Sequence, residues 1–190
     1  YGGMEFPGLI LINTEYYKDG YEEALRKVTA HETAHQYWYG IVGNDEVNEP
    51  WVDEALTDFS VQLLNIEQMG NEEASKYFQD NVVNTYIIFE EYYKDAGVDF
   101  NNAVGGSIFD YEDNTQYSIS VYYLGSIMYQ SLYEIMGKDA FYNALKQYYN
   151  KYAFSNAKGD DLINMFEQSS GMKLRSIFEG YLTGKVVIIK

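Results

Sequence analysis

His31-Glu32-Thr33-Ala34-His35 sets two imidazoles four residues apart, with a carboxylate directly after the first. On a helix such residues stack on one face about 6 Å apart along the axis, so both rings can converge on one cation. Glu32 lies one residue round from that face, where its carboxylate can reach cation-bound water without ligating the ion. Zinc lowers the pKa of such water to about 7, within range of a carboxylate base. The chain has only two histidines and both fall in this pattern. With no cysteine, neither a thiolate metal site nor a disulfide framework is available, so a metal must be held by histidine and carboxylate.

A third ligand candidate follows. Eighteen residues separate His35 from Glu54, within Trp51-Val52-Asp53-Glu54-Ala55. Two antiparallel helices joined by a loop around Asn44 to Pro50 would return Glu54 to the histidines. His31, His35 and Glu54 then hold one Zn2+ per chain with the fourth position open, which is the pattern of catalytic zinc. Taken alone, Glu54 reads as a first-turn carboxylate favoured by the helix dipole. Asp58, one turn further on, shares its face and is a candidate acceptor for a ligand imidazole N–H.

The elements that must position these groups can be traced from the pattern. Met4 to Phe6 and Leu9 to Ile12 are short and apolar, punctuated by Gly2, Gly3, Pro7 and Gly8, and predict two strands joined by a turn. Tyr21 to Tyr39 predicts a helix with Gly40 as its cap, and Trp51 to Met69 a second, entered after Pro50 and ended by Gly70. Asn71-Glu72-Glu73 opens a third, reaching about Asp95. A loop is expected from Gly97 to Thr115. Antiparallel helices are then expected near Ser118 to Met136, Asp139 to Tyr152, Asp160 to Ser169 and Leu174 to Leu182. The architecture is mainly α (α+β): a small strand-bearing N-terminal lobe and a helical lobe, with the charged motif where they meet.

Composition excludes some classes. Residues 1–190, with 46% hydrophobic residues, suit one domain, with 1–70 carrying the strands and metal-binding helices and 71–190 the helical lobe. A formal net charge of −16 disfavours nucleic acid and anionic membrane surfaces as partners. No apolar run is long enough to span a bilayer, so no membrane contact is expected from this segment. The chain starts at Tyr1 rather than methionine and reads as an excised domain.

With the spacing in place, the sequence resembles the aminopeptidase N-like gluzincin metallopeptidases, marked by HExxH, eighteen residues and a ligand Glu in a Trp-x-x-Glu context. Here the match is carried by His31 to His35, Gln36, Trp38, Gly40 and Trp51 to Glu54. The resemblance implies the catalytic domain of a thermolysin-like fold, a peptide substrate, and the absence of the family's flanking β-rich and C-terminal helical domains. Gly2-Gly3-Met4-Glu5-Phe6 resembles the family's Gly-x-Met-Glu-Asn strand, which implies that Glu5 binds the substrate's free amino group. Phe6 stands where the family has Asn, which bears on substrate positioning and strict aminopeptidase action. Val121-Tyr122-Tyr123-Leu124-Gly125 is similar to the family's Tyr-x-Lys-Gly segment, implying that Tyr122 stabilises the oxyanion. Leu124 replaces the Lys, and Tyr123 and Tyr117 are the alternative counterparts among 21 tyrosines. Gly137 to Phe141, Tyr152 to Phe154 and Asp161-Leu162 extend the similarity through most of the chain.

Other readings share these residues. A thermolysin-type endopeptidase needs the same ligands but no carboxylate for an α-amine. A non-catalytic zinc-binding scaffold module would keep the fold and lose the chemistry. Side-chain specificity, oligomeric state and location, cytoplasmic or cell-envelope and extracellular alike, are not written in the sequence.

Overall fold

Alternating exposure along the first strands builds a two-faced hairpin. The computed structural model describes residues 2–185 of the 190-residue chain. β1 (Gly3–Phe6) pairs antiparallel with β2 (Leu9–Ile12), Gly3 opposite Ile12 and Phe6 opposite Leu9, and Gly8 takes a positive φ of 80° in the turn. Successive strand side chains point to opposite faces, so Gly3 and Glu5 are partly covered while Met4 and Phe6 are exposed. The hairpin packs on α1 (Glu22–Ala34).

Gln36 fixes that docking. Its Nε2 donates to the Phe6 carbonyl at 3.1 Å and its Oε1 accepts from Gly8 N–H at 2.8 Å. The first strand is therefore tied to the end of the helix that carries the histidines.

α1 ends at Ala34, five residues before the expected Tyr39. The Tyr37-Trp38-Tyr39 run is poor in helix formers, and Tyr39 takes a φ of 126°. His35 nevertheless stays in register, its N–H donating to the His31 carbonyl at 3.2 Å. β3 (Val42–Gly43) then pairs in parallel with β4 (Ser155–Asn156), a contact the sequence pattern did not foretell. The expected second helix begins as a 3-10 turn at Pro50–Val52, and α2 proper runs Glu54–Met69.

α2 is the axis of the molecule, with Ala55, Leu56 and Phe59 fully buried. α3 (Asn71–Phe78) and α4 (Asn84–Asp95) form one rod broken by a π stretch at Gln79–Val83. α5 (Asn114–Tyr117) starts four residues earlier than expected, because the Asp113 side chain caps it by accepting from Gln116 N–H. A second π stretch, Ser118–Leu124, leads into α6 (Gly125–Met136). α7 (Lys138–Tyr152), α8 (Gly159–Ser170) and α9 (Arg175–Leu182) close the core. Phe59, Phe141, Phe166 and Phe178 form an aromatic chain there, with successive centroids 5.3–5.9 Å apart.

α6 crosses α2 where both backbones are bare. A Cβ at Gly125 would lie 2.5 Å from that of Ala55, so only glycine allows this approach. Gly125→Val is expected to cost about 1–3 kcal/mol of stability, through overpacking at this crossing, as read from urea unfolding. An unchanged midpoint would mean that the helices are not held at that distance.

Candidate active site

The last turn of α1 and the first turn of α2 meet at His31, His35 and Glu54. His35 Nε2 lies 3.1 Å from His31 Nε2 and 3.1 Å from Glu54 Oε2, and His31 Nε2 is 3.3 Å from Glu54 Oε2. Each ring is oriented through its other nitrogen. His31 Nδ1 sits 3.4 Å from Asp58 Oδ1, and His35 Nδ1 donates to the Trp38 carbonyl at 3.1 Å, near Thr57 Oγ1 at 3.3 Å. With both Nδ1 atoms turned to acceptors, the two Nε2 lone pairs and a carboxylate oxygen face one another.

Three lone pairs so close repel unless positive charge lies among them. Tetrahedral zinc with ligand bonds of about 2.0–2.1 Å has ligand atoms about 3.3 Å apart, so the donor set and its spacing fit that ion. Titration in the metal-free protein makes the same point. Burial opposes charge on His31, yet Asp58 and Glu54 outweigh it and lift the ring to about 10. His35 is raised against its burial by Glu54. Burial works to raise Glu54, but both histidines hold its carboxyl well below the usual range.

Asp58 is buried between elements. Ser126 Oγ of α6 donates to its Oδ2 at 3.3 Å, and Lys27 Nζ lies 3.7 Å from Oδ1. Burial works against the charged carboxylate, but Lys27 and His31 hold it below its ordinary value. Asp58→Ala is expected to weaken zinc binding about 10- to 100-fold in chelator competition. An unchanged dissociation constant would remove Asp58 from the account.

Glu32 stands beside the triad. It is 5% exposed, and its Oε2 is buried with no hydrogen-bond partner among the described residues. Gly3 makes room for it: a Cβ there would overlap the Glu32 carboxylate. Ligand atoms of Glu5, Glu32 and His35 lie within 4.8 Å of one another. Burial raises the Glu32 carboxyl, the two imidazoles oppose this, and Glu5 adds to it.

Of the three tyrosines, Tyr122 is the one stacked on His31, its ring 5.7 Å from that imidazole. Tyr117 packs edge-on to Tyr122 at 5.7 Å, and Tyr123 turns away to lie under Lys27 Nζ at 5.1 Å. Burial and the Glu54 charge raise the Tyr122 hydroxyl well above its ordinary value. Tyr122 lies within the π stretch Ser118–Leu124, and such bulges recur at functional sites.

Sequence reasoning missed several residues. Asp53 is buried, accepts from Asn44 Nδ2 at 3.0 Å, and leaves Oδ2 without a partner among the described residues. Burial and the neighbouring Glu54 raise its carboxyl. Asn44 and Asp53 flank the loop that returns Glu54, and a polar pair spanning a turn was the available signal. Gln36 and Trp38 were noted in the motif, but the hold of Gln36 on the hairpin and of the Trp38 carbonyl on His35 was missed, because both act only through the break after Ala34.

A mainly helical domain with a two-histidine, one-carboxylate cluster beside a buried glutamate defines a metallopeptidase-type architecture. The sequence model of the peptidase family M1 domain matches residues 1–181, and the chain belongs to that family. It is 22% identical over 188 residues to aminopeptidase N of Streptomyces lividans, covering 95% of this chain and 21% of that protein. The solved structure of Legionella pneumophila aminopeptidase A in complex with aspartic acid superposes with a TM-score of 0.72 at 19% identity, covering 95% of this chain and 20% of that one. The M1 zinc metallopeptidase of Deinococcus radiodurans gives a TM-score of 0.67 at 15% identity, over 96% of this chain and 36% of that one. These likenesses show the thermolysin-like fold, and the chain spans about a fifth of the length of the curated relatives it matches. Among the described residues no helix is long and apolar enough to cross a membrane.

Proposed function

We propose that this chain is the catalytic domain of a zinc-dependent peptidase that removes amino-terminal residues from peptides. The observation that carries this is the triangle of ligand atoms 3.1–3.3 Å on a side beside the unpartnered oxygen of Glu32. Family membership supports it. Residues 1–190 act as one catalytic unit in this reading, 1–70 holding the ion and the substrate amine and 71–190 supplying Tyr122 and the supporting core.

His31, His35 and Glu54 would hold the ion. When bound there, zinc supplies Lewis acidity that acidifies water and polarises the scissile carbonyl. Glu32 accepts the proton of the attacking water and returns it to the departing amine, a shuttle helped by the upward pull of burial on its carboxyl. Tyr122, kept un-ionised by burial and by Glu54, donates its hydroxyl hydrogen to the carbonyl oxygen as charge develops. Glu5, on the strand beside Glu32, accepts from the substrate α-ammonium, so cleavage releases the first residue.

Glu5→Ala tests the exopeptidase step. Its kcat/KM for free-amine substrates is expected to fall about 10- to 100-fold, the worth of a charged hydrogen bond. Blocked peptides are expected to be poor substrates of wild type and variant alike. Equal cleavage of blocked and free substrates, unaffected by the substitution, would favour endopeptidase action. Stoichiometric zinc with no hydrolysis of any peptide would favour a scaffold.

A further inference from the structure

One oxygen of Asp58 serves two partners. His31 Nδ1 lies 3.4 Å from Oδ1 and Lys27 Nζ 3.7 Å from the same atom, while Oδ2 takes the Ser126 hydroxyl at 3.3 Å. Lys27 and His31 stand four residues apart on α1, so one helix face turns an ammonium and a candidate ligand ring toward a single carboxylate oxygen. At 3.7 Å the Lys27 contact is longer than a hydrogen bond, so Lys27 acts on Asp58 through charge. Placement comes from elsewhere: Asp58 is buried, rides on the second turn of α2 and is tied to α6 through Ser126.

The ammonium is itself held in position. Lys27 Nζ lies 5.1 Å from the centroid of the Tyr123 ring, and Tyr123 packs against the core. Behind Asp58 opens a cavity of about 250 Å³ lined in part by Lys27, Asp58, Gln62, Asn65 and Tyr123. Gln62 Oε1 is buried there without a partner among the described residues, and the Lys27 side chain is 33% exposed. A polar, roomy site of this kind admits water, which lets the lysine keep its charge beside an occupied metal site. Two cationic centres then draw on one carboxylate oxygen, and they repel each other.

We propose that Lys27 is a charge-tuning residue that competes with His31 for Asp58 Oδ1 and so keeps zinc binding weaker than the ligands alone would make it. An ion less neutralised by its surroundings is the stronger Lewis acid. The inference rests on the zinc-peptidase reading and adds a residue to that same site. Lys27 touches neither ion nor substrate.

The test is chelator competition on the purified chain, with zinc as the probe. Lys27→Met keeps the apolar stem and removes the charge, and its zinc dissociation constant is expected to fall about tenfold. Lys27→Gln is expected to follow it, and Lys27→Arg, which restores the charge, to stay near wild type. Asp58→Asn leaves the ammonium without its counter-charge. The double variant of Lys27→Met with Asp58→Asn is therefore expected to bind zinc more tightly than Asp58→Asn alone. A merely structural ion pair predicts the opposite sign, since loosening Asp58 would weaken the site. Weaker or unchanged zinc binding in Lys27→Met and Lys27→Gln would overturn the proposal. Should the Met variant fail to fold, the Gln and Arg variants decide the question by the same criterion. Failure of the wild type to take up zinc would instead overturn the reading of the site as a zinc centre.

Discussion

Glu32→Gln is expected to keep zinc and lose hydrolysis, with kcat down about 10²- to 10⁴-fold and the zinc dissociation constant little changed. Glutamine fills the same volume and stays packed against Gly3, so the cleft should hold its shape. The amide cannot accept the water's proton, which removes the general-base contribution of that size. Glu32 lies outside the 3.1–3.3 Å triangle, so zinc affinity should not follow the rate. Steady-state kinetics with elemental analysis separates the two quantities. A variant with near-normal kcat would take Glu32 out of the chemistry. One that lost zinc as well would make it a ligand.

His35→Ala is expected to lose zinc affinity on the order of 10³-fold, the share of one ligand in a site worth about 10–16 kcal/mol in total. His35 is fully buried, and its removal also strands the Trp38 carbonyl and leaves Glu54 only one of its two imidazole partners. Zinc binding to the wild type raises its melting temperature, since a ligand at about a thousand times its dissociation constant adds about 4 kcal/mol. The variant should lose that rise. Hydrogen-ion linkage adds a direction. In the metal-free fold His31 is lifted to about 10, so its charged form stabilises that fold fully below about pH 6.5 and progressively less as pH climbs toward 10. Zinc must displace that proton, so the zinc-induced rise in melting temperature should grow between pH 6 and pH 8. A rise that shrank over that interval, or persisted in His35→Ala, would contradict the ligand set.

The meeting of His31, His35 and Glu54 was legible because its information is local. Four-residue spacing on a helix puts two rings on one face whatever the rest of the chain does, and a return helix brings one carboxylate back. The hairpin, with Glu5 and Gly3 on its covered face, was legible from its apolar run and its turn residues. What was not legible depends on where helices break. The end of α1 at Ala34 frees the Trp38 carbonyl for His35 and lets Gln36 hold the hairpin turn, and neither contact leaves a periodic trace. The π stretch at Ser118–Leu124 decided which of three tyrosines faces His31, and a shift of one residue in helical phase is invisible in composition. Asp113 capped α5 in plain view, as an Asp followed three residues later by Gln. The parallel pair of Val42–Gly43 with Ser155–Asn156 joins segments more than a hundred residues apart, too short to show as strands in either sequence.

Zinc content, measured by elemental analysis of the purified chain after dialysis against a weak chelator, bears most directly on the whole account. One zinc per wild-type chain, falling to background in His35→Ala and retained in Glu32→Gln, is the predicted result. Background zinc in the wild type, or one zinc per chain that survives the loss of His35, would contradict it.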